Sequence, residues 1–289
     1  MGMTNRLQCG AKLLAAGLMA AVISAHAIAK PVRDPRLRSN SALVVDTENS
    51  AVLYSKRPGT VQPIASITKL MTALVVLGAK QPLNELITIS PADRNPGKGW
   101  YSRLRVGTTL TRRDLMHLAL MSSENRAAHA LANHYPGGMP AMIKAMNAKA
   151  RALGMTSAHF ADSTGLSSQN VASPEDLAKL VIAASHNPTI RAFSTDKHYS
   201  VRVRRHIVEF RNTDNLVANR TWKILVQKTG YITEAGRCLV METVIEGRSV
   251  VIVLLDSFGK YTRLADAVRI KRWMEAGGIG DRGARVSMR

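Results

Sequence analysis

The 289 residues are 46% hydrophobic and carry 40 Lys and Arg against 20 Asp and Glu, a formal charge of +20. That balance predicts attraction to polyanions and says little about fold. Only two cysteines are present, Cys9 and Cys238. Cys9 lies in a segment expected to be removed, which excludes a disulfide framework and leaves stability to a hydrophobic core.

Arg6 and Lys12 provide a positive start, Leu13 to Ala25 is an apolar run, and Ala25-His-Ala27 and Ala27-Ile-Ala29 both fit a small-x-small cleavage site. Residues 1–29 therefore read as an export signal cleaved after Ala27 or Ala29. The run is too short to span a bilayer comfortably, and Cys9 lacks the small apolar upstream neighbours of a lipoprotein. The remaining 30–289 read as one domain, long enough to bury its own core.

Ser41–Asp46 and Ala51–Ser55, flanking Thr47-Glu-Asn-Ser50, predict a β-hairpin. Pro63 opens a helix that runs without a breaker to Gly78, with Ser66 in its first turn. Thr111-Arg-Arg-Asp114 resembles a capping box ahead of Leu115–Leu120. Further helices are predicted over Asn125–Ala132, Pro140–Leu153 and Pro174–Ser185, the last with Ser173 as N-cap and Pro174 at its first position. Strands then return: Trp222–Val226 leads into Lys228-Thr-Gly230, and Glu246-Gly247 joins Arg237–Ile245 to Arg248–Asp256 as a tight hairpin. Cys238 lies in an apolar strand pattern and is expected to be buried and inert. A helix over Tyr261–Ala276 is followed by a small, polar, basic tail with no apolar face suited to a membrane anchor.

Strands at both ends with helices between predict an α/β fold. Its antiparallel sheet is assembled from the two termini and flanked by helices, with a central helical subdomain. The sheet lobe takes about 38–80 and 191–276, the helical lobe about 81–190. Ser66 would lie on a helix packed on the sheet, Ser123 in the helical lobe, and a cleft between the lobes would gather the motifs.

Three short motifs carry chemistry: Ser66-Ile-Thr-Lys69, Ser123-Glu-Asn125 and Lys228-Thr-Gly230. Alone, the first two are weak, since each pattern arises about once by chance in a chain of this length. Ser194-Thr-Asp-Lys197 repeats the first, and Ser168-Gln-Asn170 and Ser185-His-Asn187 repeat the second. Context separates them. Ser66 and Lys69, at i and i+3, share a helix face near the positive end of the helix dipole. Ser194–Lys197 instead runs into the strand-like alternation His198-Tyr-Ser-Val-Arg-Val203.

A serine hydroxyl needs a base to become a nucleophile. Lys69 is the candidate, provided burial or a second cation such as Lys228 lowers its pKa. Ser123 would relay a proton to the leaving amine, and the Asn125 amide would bond a substrate peptide group. Lys228 and Thr229 would hold a carboxylate or carbonyl. Gly230 would let a substrate strand lie against the sheet edge. The backbone N–H groups of Ser66 and Tyr231 would form the oxyanion hole. Plainer readings exist: Ser123-Glu-Asn125 also suits a helix break, and Lys228 a solvated strand-end charge.

Metal chemistry finds no support in the histidines, since His129 and His134 do not share a helix face and there is no H-E-x-x-H. Gly97-Lys-Gly99 is too short to cradle a phosphate. Residues 94–113 carry Arg94, Lys98, Arg103, Arg105, Arg112 and Arg113 with no acid, around Trp100-Tyr101, and residues 191–223 are also strongly basic. Basic residues interleaved with aromatics can serve single-stranded nucleic acid, but no nucleic-acid motif is present. An anionic wall polymer or membrane surface suits an exported protein better, beside the plain alternative of a solvated basic surface with no specific ligand.

On these motifs the chain resembles the low-molecular-mass penicillin-binding proteins, serine D,D-peptidases of the bacterial cell wall with the β-lactamase/transpeptidase-like fold. Ser66-Ile-Thr-Lys-Leu-Met-Thr72, Leu118–Ala128 and Lys228-Thr-Gly-Tyr231 carry the likeness; His134-Tyr-Pro-Gly-Gly138, Lys144–Lys149 and Asn212-Thr-Asp-Asn-Leu216 narrow it to the endopeptidase branch. The resemblance implies a periplasmic, penicillin-binding enzyme without metal or cofactor. It would cut D-alanyl-meso-diaminopimelate cross-links in peptidoglycan through an ester on Ser66. It assigns Lys69 as base, Ser123 as relay, and Asn125 and Lys228 as substrate contacts. Glu124 departs from the glycine common in the carboxypeptidase branch, and no room remains for that branch's C-terminal β-domain and anchor helix. A D-alanyl-D-alanine carboxypeptidase using the same residues is the nearest rival. A β-lactamase would need a Glu with an Asn four residues on, and Glu175 has Lys179 there. A non-catalytic wall-binding protein is the rival from another class.

Overall fold

A computed structural model describes residues 34–94 and 102–278. The export signal, Lys98, Gly97-Lys-Gly99, Trp100-Tyr101 and most of the basic tail lie outside the described residues.

The N-terminal hairpin forms as expected, from β1 (Ser39–Asp46) and β2 (Val52–Lys56). A two-residue strand, β3 (Gln62–Pro63), and a 3-10 turn at Ala65–Ile67 lead into α1 (Thr68–Gly78). β4 (Leu86–Thr88) pairs with β5 (Thr109–Thr111). Helices α2 (Arg112–Met121), α3 (Asn125–Asn133) and α4 (Gly138–Ala152) follow. β6 (Val171–Ala172) pairs back to β3. α5 (Pro174–Ser185) and α6 (Pro188–Thr195) precede a hairpin of β7 (His198–Val203) and β8 (His206–Arg211). β9 (Lys223–Ile232), β10 (Gly236–Ile245), β11 (Arg248–Ser257) and α7 (Thr262–Glu275) close the described chain.

Local chemistry sets these boundaries. The Thr111 hydroxyl accepts from the Asp114 N–H at 3.0 Å, and the Asp114 carboxylate accepts from the Thr111 N–H at 3.1 Å. This reciprocal cap starts α2. Ser173 caps α5 by accepting from the Asp176 N–H at 3.1 Å. Glu246 and Gly247 have φ of +49° and +75°, the pair of positive values that a two-residue hairpin turn needs.

The main sheet has the order β2-β1-β11-β10-β9, every neighbour antiparallel. The N-terminal hairpin therefore docks on a C-terminal strand, and the sheet is built from both chain ends. Alternate residues serve two cores. Leu43, Val45, Val240, Val251 and Val253 face one, whereas Ala42, Val44, Leu239, Met241, Ile252 and Leu254 face the other, which α7 covers with Ala267, Ile270, Trp273 and Met274. Burial on both faces explains why these strands are continuously apolar. Each fully buried Leu or Val contributes about 1.5–3 kcal/mol, so the sheet is a stiff support for its edge strand β9. Cys238 is fully buried in β10, and burial pushes its thiol up to about 12.

Two expected placements change. The helix laid on the sheet is α5, against β1, β9, β10 and β11, although residues 81–190 read as one helical lobe. α1 packs mainly among α2–α6, and it is the Ala65–Ile67 turn ahead of it that meets β9 and β10. The reason is composition: Thr68–Ala73, Val75 and Val76 are all buried. A helix buried nearly all round belongs at the centre of a bundle, not on a surface. The β7–β8 hairpin packs on α2 and β5 rather than joining the sheet.

Candidate active site

Ser66 sits in the 3-10 turn, not inside a helix that starts at Pro63. Pro63 is in β3, and α1 begins at Thr68. Ala65 causes the change, with a left-handed φ of +49°. Such a conformation costs a non-glycine residue about 1–3 kcal/mol and needs surroundings that impose it. Two glycines leave the room for it. A Cβ on Gly165 would lie 1.8 Å from the Ala65 carbonyl oxygen, and one on Gly230 would lie 3.0 Å from the Ala65 Cβ and 3.1 Å from the Ser66 N. Only glycine lets both backbones close on this turn. Ile64, Ala65 and Ile67 are fully buried beside it, leaving Ser66 partly exposed.

Lys69 is buried, and its Nζ lies 2.7 Å from the Ser66 Oγ, 2.7 Å from the Asn125 Oδ1 and 2.6 Å from the Thr164 carbonyl oxygen. The last two groups only accept. In a neutral amine they take both N–H bonds, and the remaining lone pair meets the Ser66 hydroxyl. Burial brings the Lys69 pKa from 10.5 down to about 7, against partial opposition from the charges of Asp162 and Glu124. The cause is desolvation rather than the nearby Lys228. If neutral Lys69 is the base, acylation of Ser66 by a β-lactam should rise with pH through about 7 and then level, as stopped-flow rates from pH 5.5 to 9 would show. A flat profile there would remove Lys69 from that role.

The Thr164 carbonyl is a partner that no motif announced. Asp162 folds its loop. One carboxylate oxygen accepts from the N–H groups of Thr164 at 2.5 Å and Gly165 at 2.6 Å, and the other accepts from the Ser167 N–H at 2.6 Å. Asn170 finishes the loop. Its Oδ1 accepts from the Ala161 and Asp162 N–H groups at 2.7 and 3.0 Å, and its Nδ2 donates to the Thr68 hydroxyl at 2.9 Å. The Ser168–Asn170 repeat of the second motif is therefore the anchor that ties this loop to α1. Acidic and amide residues among Ser, Thr and Gly were the only sequence signal for such a turn.

Ser123 lies between α2 and α3 with φ +59°. It is half-buried. Glu124 caps α3, accepting from the Arg126 N–H at 3.1 Å and from the Ser102 hydroxyl at 2.5 Å. Burial raises its pKa, against those hydrogen bonds and the Lys69 charge. Asn125 spends its Oδ1 on Lys69, which leaves its Nδ2 to donate elsewhere.

Among the described residues β9 pairs only with β10, so its far edge is unpaired by strands there and runs past Ser66 at Gly230. Lys228 is fully buried; its Nζ donates to the Thr229 carbonyl at 2.8 Å. Burial, then the charges of Lys69 and Arg263, depress its pKa well below the usual lysine value. The Thr229 hydroxyl donates to the Thr213 Oγ1 at 2.6 Å. Asp214, buried beside these groups, has its carboxyl pushed up to about 6 by desolvation. Tyr231 is exposed, with the Arg237 guanidinium 4.5 Å from its ring centroid.

The structure thus brings Ser66, Lys69, Asn125 and Gly230 into contact and sets Lys228 within range of the Lys69 charge. It leaves Ser123 without a bond to them. The decoy is not assembled: Ser194 is buried against Gln227 of β9, and Lys197 is exposed. No cluster of three or more His, Cys, Asp or Glu among the described residues is arranged to hold a metal ion.

A family model described as D-alanyl-D-alanine carboxypeptidase matches residues 28–259. The chain is 50% identical to a D-alanyl-D-alanine endopeptidase of Pseudomonas aeruginosa over 84% of its own length and 79% of the relative's. It is 45% identical to a D-alanyl-D-alanine endopeptidase of Escherichia coli, over 93% and 87% of the two chains. Among solved structures it resembles the DD-transpeptidase of Streptomyces K15, at 28% identity and a TM-score of 0.78, covering 85% of this chain and 99% of that one.

Proposed function

The chain belongs to the D-alanyl-D-alanine carboxypeptidase family of serine peptidases, and from that premise we propose that it is a D,D-endopeptidase cutting D-alanyl-meso-diaminopimelate cross-links in peptidoglycan. The carrying observation is the Lys69 amine, buried, 2.7 Å from the Ser66 hydroxyl and held by Asn125 and Thr164. The names of the two most similar relatives quoted above favour endopeptidase over carboxypeptidase.

In this mechanism neutral Lys69 takes the Ser66 proton as Oγ attacks the D-alanyl carbonyl. The backbone N–H groups of Ser66 and Tyr231 stabilise the oxyanion, each such donor being worth about 3–4 kcal/mol of barrier. Ser123 passes the proton from Lys69 to the departing amine, leaving an ester on Ser66 that water hydrolyses. Asn125 Nδ2 and the open edge of β9 at Lys228-Thr229-Gly230 hold the substrate peptide. β-Lactams acylate the same serine. Export to the periplasm with removal of residues 1–29 completes the reading. No helix among the described residues is long and apolar enough to cross a membrane. The basic surface suits peripheral association with wall or membrane.

A digest tests this. Mature protein would receive a cross-linked muropeptide dimer and an uncross-linked pentapeptide together, with products read by mass. Dimer should fall to monomers, and Ser66→Ala and penicillin treatment should each abolish it. Loss of one alanine from the pentapeptide alone would make the protein a carboxypeptidase. No product, with no penicillin attached, would leave a wall-binding protein.

A further inference from the structure

Beside the cleft, the segment 102–106 and the β7–β8 hairpin enclose a groove of about 350 Å³. Arg103, Arg105, Arg204 and His206 line it over Val203 and Val208. Two of the arginines fix its shape. Arg103 donates to the Glu209 carbonyl at 2.5 Å and lies 3.8 Å from the Phe210 ring centroid, and Arg204 donates to the Val106 carbonyl at 3.3 Å. Both bonds go to neutral acceptors. The acid of this hairpin, Glu209, pairs with Arg211 at 3.0 Å instead. Among the described residues, none of the groove's cations has a carboxylate within ion-pair distance. A pre-shaped groove lined by uncompensated guanidinium groups attracts anions.

Both walls are tied to elements that carry the catalytic residues. Ser102, at the groove, donates to Glu124, the neighbour of Asn125. β8 continues to Thr213, whose hydroxyl accepts from Thr229.

We propose that this arginine groove binds carboxylates of the second stem peptide in a cross-linked substrate. The inference rests on the endopeptidase reading and deepens it. An uncross-linked pentapeptide ends one residue past the scissile bond, whereas a cross-linked dimer continues there into another peptide with further carboxylates. Guanidinium groups recognise carboxylates through charge-assisted, paired hydrogen bonds. The groove is thus a specificity element that selects the longer substrate.

The test measures binding by calorimetry, in a Ser66→Ala background so that nothing is cut. The probes are a muropeptide dimer with free carboxylates, the same dimer amidated, and vesicles of phosphatidylglycerol. Arg105→Gln with Arg204→Gln should weaken the free-carboxylate dimer about tenfold at low salt, and less at high salt. The amidated dimer should already bind weakly and change little. A control pair, Arg36→Gln with Arg272→Gln, removes the same charge elsewhere and should leave dimer affinity unaltered; thermal midpoints check folding. Equal binding of the two dimers, or equal losses in both variant pairs, overturns the proposal. So does a groove variant that loses vesicles but keeps the dimer, which would mark a membrane contact. Failure of the endopeptidase reading looks different: the protein with Ser66 intact would bind the dimer and leave it uncut.

Discussion

Lys69→Met is expected to slow acylation of Ser66 by about 1,000-fold, within the range that a positioned general base contributes. Methionine keeps most of the unbranched side chain and its packing among the buried residues of α1, but it is one atom shorter and has no basic group able to take the Ser66 proton. The stability effect has opposing parts. The Asn125 Oδ1 and the Thr164 carbonyl each lose a donor, at about 1–3 kcal/mol for the buried Thr164 acceptor left unpaired and less for the partly exposed Asn125. Against this, a buried amine that resists protonation is gone. The Lys69 pKa falls from 10.5 to about 7 on folding, so the folded state binds this proton less readily than the unfolded chain. That penalty is complete below about pH 7 and fades as pH rises toward 10.5. The variant should therefore compare best with the parent at low pH. Penicillin acylation kinetics and thermal midpoints at pH 6 and 9 measure both parts. Near-parental acylation would show that another group deprotonates Ser66.

Gly165→Ala should be comparably severe for a different reason. Its Cβ would sit 1.8 Å from the Ala65 carbonyl oxygen and 2.8 Å from the Ser66 N, and the residue has φ +82°. The obstructing atoms are backbone, so no side chain can swing away. Either the Asp162–Ser167 loop withdraws, carrying the Thr164 carbonyl off Lys69, or the Ala65 turn opens and moves the nucleophile. We expect a loss of about 3 kcal/mol or more, from the left-handed conformation together with overpacking, and at least about 100-fold in acylation, since small misplacements of reacting groups cost that much. Gly247→Ala is the internal comparison. It has φ +75° but open space around its Cβ, so it should cost only about 1–2 kcal/mol and leave acylation untouched. Urea denaturation and acylation rates separate the two, and equal behaviour would refute the close-approach argument.

Much of this molecule is written locally. The hairpins at Thr47–Ser50 and Glu246-Gly247, the reciprocal cap at Thr111 and Asp114 and the Ser173-Pro174 start of α5 all follow from contacts within a few residues. So does the pairing of Ser66 with Lys69, three residues apart. The three motifs, read with their local context and the flanking segments that carry the family likeness, marked a serine D,D-peptidase. Sequence could not identify the base's other partners, because Lys69 meets Thr164 and Asn125 across 95 and 56 residues. Nor could it show that Asn170, one of several chance repeats of a motif, ties a loop to α1. The left-handed Ala65, which delays α1 to Thr68, is accommodated by two glycines far along the chain. Position on the sheet likewise went to α5 rather than α1, since burial all round α1 becomes decisive only once neighbouring helices surround it. Residue types and local spacing determined what chemistry the chain can perform. Desolvation, close backbone approach and the uncompensated charge of the arginine groove depend on what lies nearby in space, and only the tertiary structure decided those.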